Sequence, residues 1–398
     1  MSQKRWCQNL APWWSNLHRR DGIQESHGHQ TSRRRRIASA DVHAISKHSR
    51  QTRAGEAAWS SGRWRCPGSR RLATVTVVPS AKQEEWITMK RIQYHQYGGP
   101  DLMRLEEFEL ASPGKGQVAV KIKFAAINPI DWKLRAGRMK IVTGRAFPRA
   151  MGMDISGTVI SVGEGVTRFK IGDAVFGLAR FKESGALGEA VVTKDSFLAK
   201  KPDTVSFEEA ACLGTPGATA WNGLVDKAKL TAGEHVFING CTGAVGEAAV
   251  QIAQILGATV SGSCSAVATE RARALGVQTV FDYRTTDLST VRERFDVVYD
   301  TAATMTDAVG LGLLRQNGRF VDLNPTPGKF IRSMFNRRLK VVVCTPRSEI
   351  LDRLARAAKD ENLRLPIAEI VPLSEAIPLI TALESGRKLA GKALVMMD

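Results

Sequence analysis

Residues 235–246 read HVFINGCTGAVG, and the fold turns on how that stretch is parsed. His235 to Ile238 is a short strand of the buried kind, Gly240, Gly243 and Gly246 space a tight turn, and Glu247 to Leu256 carries the apolar residues of a helix leaving it. Strand, glycine turn and helix in that order suit a diphosphate. Glycines let the phosphates approach the backbone, and the helix start offers free N–H groups with partial positive charge. Gly240, Cys241, Thr242, Gly243, Ala244, Val245 and Gly246 are therefore the expected cofactor-binding residues. One position departs from G-x-G-x-x-G, because Cys241 stands where the first glycine falls. A strand-to-helix turn with no ligand would also use three glycines, so the neighbouring sequence has to decide.

That sequence repeats the pattern. Ala258–Gly262, Thr279–Tyr283, Asp296–Asp300, Arg319–Leu323 and Leu339–Cys344 read as strands, with helices at Glu270–Leu275 and around Thr306–Leu314. Val-rich strands alternating with helices predict a parallel sheet covered on both faces. Upstream, Arg91–Tyr94, Gln117–Ala126, Asp154–Val162, Ala174–Leu178 and Leu187–Val192 are strand-like and separated by Gly and Pro, which predicts an irregular antiparallel β domain. Glu208–Leu213 begins a helix that leads through Thr219–Leu224 to the nucleotide unit. An amphipathic helix Glu349–Lys359, a helix Ser374–Glu384 and a strand Ala393–Met397 close the chain. The expected division is a basic extension over 1–88, a catalytic β domain begun over 89–212 and completed over 347–398, and a doubly wound α/β domain over 213–346.

The formal charge of +18 suggests nucleic acid until it is divided: residues 1–88 hold 16 Lys+Arg against 6 Asp+Glu, more than half of the excess. A nucleic-acid partner is therefore not expected of the body of the protein. The 1–88 segment has RRRR at Arg33–Arg36, five of the seven histidines, six of the eight tryptophans and no sustained apolar period. It suits three readings: non-native or disordered sequence ahead of a start at Met89, an organellar transit peptide, or a basic arm. Six dispersed cysteines without a C-x-x-C pair favour a reduced compartment. The longest uncharged stretch, Ala248–Thr269, is interrupted by Gln, Gly and Ser, so no membrane span is expected and the cytoplasm is the expected location, with organellar targeting open.

Several segments together resemble the medium-chain dehydrogenase/reductase superfamily, and within it the zinc-independent quinone oxidoreductase-like enzymes. They are AAINPIDWKLRAG (Ala125–Gly137), MGMDISGTVISVGEGVTRFKIGDAVFG (Met151–Gly177), GATAWNGL (Gly217–Leu224), INGCTGAVG, FDYR (Phe281–Arg284), GRFVDLNPTPG (Gly318–Gly328) and GKALV (Gly391–Val395). The resemblance implies a GroES-like catalytic domain beside a Rossmann domain. Zinc-dependent relatives place Cys, His and Cys where this chain has Asn128, Met153 and Thr215, none of them a good zinc ligand, so no metal is expected. By similarity, Asn128 and Asp131 face the cleft and Thr219 lies beside the nicotinamide, while Lys133 is placed to donate to a developing enolate. The duller readings stay open: Asn128 as a turn residue, Asp131 as a helix cap, Lys133 as a solvated lysine. Asn324 and Lys392 join the cofactor residues on the same ground.

Cofactor choice rests on the end of the second strand, where an NAD enzyme carries an acid for the ribose diol. This chain reads Gly262, Ser263, Cys264, Ser265. NADPH is the expected cofactor, with Ser263, Ser265, Tyr283 and either Arg271 or Arg284 around its 2′-phosphate. The expected activity is hydride transfer to quinones or α,β-unsaturated carbonyls. An alcohol dehydrogenase and a nucleotide-bound binding or structural protein are the alternatives. The apolar strand Leu339–Cys344, last in its sheet, predicts pairing with a second copy as a homodimer.

Overall fold

The computed structural model describes residues 88–291 and 294–397. Apart from Thr88, the expectations for the basic extension lie outside the described residues. β1 (Met89–Tyr94), β2 (Arg104–Phe108), β3 (Gln117–Ala126), β4 (Arg149–Ala150), β5 (Asp154–Val162), β6 (Ala174–Leu178), β7 (Ala190–Lys194) and β8 (Leu198–Lys200) come first. All their pairings are antiparallel, as the Gly and Pro punctuation predicts. β1 lies between β2 and β4 in a small sheet, and β3, β5, β6 and β8 run in that order through a larger one, with β7 also on β3. In β3 the alternation QVAVKIKF puts Val118, Val120 and Ile122 into the core while Lys121 points out. The strand expected at Leu187–Val192 begins at Ala190 instead. Leu187 is taken by β1 and the 151–153 segment, with Ile92 donating to its carbonyl and its own N–H going to Met151.

The second half is a parallel sheet built from β9 (His235–Asn239), β10 (Thr259–Cys264), β11 (Thr279–Asp282), β12 (Phe295–Asp300), β13 (Leu314–Asp322) and β14 (Leu339–Val341). Their spatial order is β11-β10-β9-β12-β13-β14, with every pair parallel. This is the doubly wound arrangement, whose order reverses between β9 and β12 and opens a crevice beyond the strands' carboxyl ends. Successive residues of β9 serve opposite cores: Val236 and Ile238 pack on one side, and Phe237 joins Phe295, Val298 and Phe320 on the other. Burying a side chain of that size stabilises the fold by about 1.5 to 3 kcal/mol. The strand expected over Leu339–Cys344 is shorter, because beyond Val342 the chain leaves the sheet and the Thr345 N–H goes to the Asn222 side chain.

The chain then returns to the first half. After the Ser348–Asp360 helix, β15 (Ile367–Pro372) lies parallel to β16 (Lys392–Met396), and β16 runs antiparallel to β3. One core passes from Ala126, Phe176 and Leu178 through Cys212 and Leu213 to Val236 and Ile238, joining the two halves. Among the described residues, no helix is long and apolar enough to cross a membrane.

Candidate active site

At the crevice the chain leaves β9 through Gly240, whose φ of 80° suits glycine. The Gly240 and Cys241 N–H groups both donate to the Ser263 carbonyl at 3.0 Å, and Gly243 caps the Ala244–Ile255 helix. A Cβ on Gly246 would stand 2.0 Å from the Gly240 carbonyl oxygen, so helix and turn pack backbone to backbone there. A Cβ on Gly243 would meet nothing nearer than 3.4 Å. Cys241 is fully buried, and a Cβ at Gly262 on the next strand would fall 2.8 Å from the Cys241 Cβ. The thiol thus fills space that Gly262 leaves, and burial pushes it up to about 12.

Ser263, Asn239, Asp300 and Asp322 lie side by side in register across β10, β9, β12 and β13. The Ser263 hydroxyl donates to Asn239 Oδ1, and Asn239 Nδ2 donates to Asp300 Oδ1 at 2.7 Å and Thr304 Oγ1 at 3.0 Å. Asp322 pairs with Lys329 and accepts the Asn324 N–H at 2.7 Å. Ser263 was expected around the 2′-phosphate; its hydroxyl is instead buried and spent on Asn239. Sequence reasoning missed Asn239, Asp300 and Asp322, although each closes an apolar run (VFIN, VVYD, FVD) at a strand's carboxyl end.

Ser265 follows β10, and Tyr283 follows β11 with its N–H on the Cys264 carbonyl at 3.2 Å, so the two strand ends lie together. Tyr283 is exposed, and the Arg284 guanidinium lies 5.8 Å from its ring centroid. Arg271 is turned elsewhere: Nη2 donates to the Thr242 carbonyl at 2.7 Å, and Nε lies 3.1 Å from Glu247 Oε1.

Of the residues expected at the reacting end, Asn128 and Asp131 lie where β3, β5 and β16 meet. Asn128 caps the Pro129–Arg135 helix, and its backbone N–H donates to Asp131 Oδ2 at 2.8 Å, so Asp131 does act as a cap. The Asn128 amide donates to Asp154 Oδ2 at 2.9 Å and to the Ala126 carbonyl at 3.1 Å, and its oxygen accepts from Lys392 Nζ at 2.6 Å. Asp154 also accepts the Thr215 N–H at 2.7 Å and the Thr215 hydroxyl. Lys392 therefore serves this network rather than the glycine turn. Burial raises the carboxyl of Asp154 against the pull of Lys392, and burial pushes Asp131 up to about 7. Lys133 is exposed, and the buried Thr219 donates its hydroxyl to the Thr215 carbonyl at 2.7 Å. Cys212 is a core residue, its thiol pushed up to about 12 by burial. Among the described residues, no three His, Cys, Asp or Glu side chains gather into a metal set.

Comparison with known proteins agrees with this architecture. Residues 114–203 match the alcohol dehydrogenase GroES-like domain family, and residues 275–395 match the zinc-binding dehydrogenase family. The chain is 28% identical to the chloroplast envelope quinone oxidoreductase homolog of Arabidopsis thaliana over 72% of its own length and 92% of that protein. It is 32% identical to the 2-methylene-furan-3-one reductase of Solanum lycopersicum over 77% of its own length and 79% of that protein. The solved quinone oxidoreductase of Coxiella burnetii superposes with a TM-score of 0.71 at 30% identity, covering 78% of this chain and 99% of that one. With its GroES-like β half, its doubly wound half and these relatives, the chain belongs to the medium-chain dehydrogenase/reductase superfamily of oxidoreductases, which work with a nicotinamide nucleotide.

Proposed function

We infer that the protein is an NADPH-dependent oxidoreductase that reduces quinones or α,β-unsaturated carbonyls without zinc. The observation that carries this reading is the state of the three places where zinc-dependent members hold thiolate or imidazole. Here they are an amide, a thioether and a hydroxyl: Asn128, Met153 and Thr215. Asn128 and Thr215 are already spent on Asp154. Such a donor set does not fit Zn²⁺.

A bound nicotinamide nucleotide supplies hydride. The protein's own part is positioning. The glycine turn and the start of the Ala244–Ile255 helix hold the diphosphate, while Ser265, Tyr283 and Arg284 border the ribose phosphate. Asn128, with both amide protons and its oxygen engaged, acts as a rigid wall of the cleft, and Lys133 is free to donate to an oxygen that gains charge. An isolated ketone would concentrate that charge on one alkoxide, which asks for strong polarisation. An enone spreads it into an enolate and a quinone into an aromatic ring, so a few donors suffice and solvent delivers the proton. The quinone and furanone activities in the relatives' names support the same substrate class.

Residues 89–212 and 347–398 then form the substrate side and 213–346 the cofactor side, a division supported by β16 lying on β3. A homodimer fits the edge strand β14. The neighbouring Pro327–Phe335 helix leaves Phe330, Ile331, Met334 and Phe335 exposed, an apolar face that a second copy would cover. Light scattering at micromolar concentration is expected to give twice the chain mass. The activity is tested by NADPH oxidation against enones, quinones and saturated aldehydes of similar size. Enones or quinones are expected well ahead. Oxidation of a simple alcohol with NADP⁺ at a matching rate would restore the alcohol dehydrogenase reading.

A further inference from the structure

Glu247 stands in the first turn of the Ala244–Ile255 helix, directly behind the glycine turn, with its side chain only 4% exposed. The titratable groups that face it are Arg271, from the Thr269–Ala274 helix, and the Cys241 thiol. The Gly214–Trp221 helix packed alongside carries none. Arg271 joins the two parts of the site: it meets the Glu247 carboxylate at 3.1 Å as an ion pair without hydrogen-bond geometry and donates to the Thr242 carbonyl of the turn at 2.7 Å. Burial pushes Glu247 up to about 7 against the pull of Arg271.

We propose that Glu247 takes up a proton from solvent when a dinucleotide diphosphate seats on the glycine turn, leaving Arg271 to face the phosphates as an unneutralised cation. This rests on the cofactor reading above. The added negative charge lies within about one helical turn of the carboxylate, whose own side chain is enclosed, and like charges at that range favour the protonated acid. By linkage, the group binds its proton more tightly in the complex than in the free protein. Cofactor affinity is then greatest below the free value near 7 and falls as pH rises through it. One unit of difference corresponds to about tenfold in Kd.

Calorimetric titration with NADPH at pH 7, in two buffers of different ionisation enthalpy, measures the protons taken up. The 2′-phosphate of NADPH titrates on its own account, so the informative quantity is the difference between the wild type and E247Q, which is isosteric and always neutral. The wild type is expected to take up a further fraction of a proton per site. Its Kd is expected to weaken about fivefold more than that of E247Q between pH 6 and 8. Equal uptake in the two proteins overturns the proposal, and an absence of NADPH binding in both overturns the cofactor reading with it. Should E247Q fail to fold, NADH, which lacks the 2′-phosphate, reads the same uptake in the wild type. Zero uptake there is equally decisive against the proposal.

Discussion

At the glycine turn, the groups proposed to meet a ligand are backbone N–H groups spaced by Gly240, Gly243 and Gly246. Around Asp154, the polar groups are mostly side chains, drawn from four separate stretches at Asn128, Asp154, Thr215 and Lys392. The turn is a matter of shape: a single Cβ at Gly246 has nowhere to go. The network is a matter of charge, since a buried ammonium is acceptable only beside buried carboxylates. A fault at the turn should therefore stay local and show in cofactor binding, while a fault in the network should spread to the stability of the whole β half.

Removing a charge tests that contrast most severely. Asp154→Ala removes the buried carboxylate that Lys392 acts on and that Asn128 and Thr215 donate to, and is expected to cost about 3 to 5 kcal/mol in denaturant unfolding. The double variant Asp154→Ala/Lys392→Met should recover part of the loss. A double variant no better than the single one would show that the network is held by shape after all.

The turn comes next. Gly246→Ala forces a Cβ against the Gly240 carbonyl and should cost about 1 to 3 kcal/mol together with cofactor binding. Gly243→Ala, whose Cβ would make only an ordinary contact at 3.4 Å, should unfold like the wild type. Equal unfolding midpoints for the two would refute the packing argument. In kinetics, Asn128→Ala, which removes a positioning wall of the cleft, is expected to lower kcat/KM by about tenfold or more, and by more than Asp131→Asn does.

Cofactor preference is a gentler probe. NADPH should bind about tenfold or more tightly than NADH through charge-assisted bonds to the 2′-phosphate. Because Arg271 is committed to the turn, Arg284→Ala rather than Arg271→Ala should erase the preference. The smallest effect is on pH. Asp131 titrates near 7 in the fold against an ordinary 3.8, so the folded state binds the proton more tightly than the unfolded chain. Its contribution to stability is most favourable below pH 4, falls as pH rises towards 7, and then levels off. Thermal unfolding of Asp131→Asn between pH 5 and 8 should show a shallower fall than the wild type.

The same contrast explains what could be read from sequence. Backbone devices are local in the chain: INGCTGAVG announces its turn, and the Val-rich runs announce their strands, so the doubly wound half was legible almost strand by strand, while the Pro327–Phe335 helix was not. The first half was legible where strands alternate cleanly, as in β3, and less so where the backbone serves two sheets, as at Leu187. Side-chain networks are non-local. Nothing near Lys392 in sequence says that its ammonium will reach across to Ile127 and Asn128, 264 positions from the latter. Ser263 misled for a related reason: its place at a strand's carboxyl end was right, but which face it took depended on Asn239 in the adjacent strand. Glu247 was passed over because an acid early in a helix is ordinarily a solvated one, and only the fold reveals that it is enclosed.

Cys241 and Gly262 bear on how such motifs should be searched for. The fingerprint is usually read along one strand, as three glycines at fixed offsets. In this protein the space reserved by the first of them is shared with the strand next door, and what Cys241 adds Gly262 gives up. A missing glycine in a one-dimensional pattern is thus no sign of a lost nucleotide site when its partner about twenty residues downstream has lost a side chain in exchange. A search that scores the two positions jointly, as one volume rather than two letters, would recover chains that the linear pattern discards.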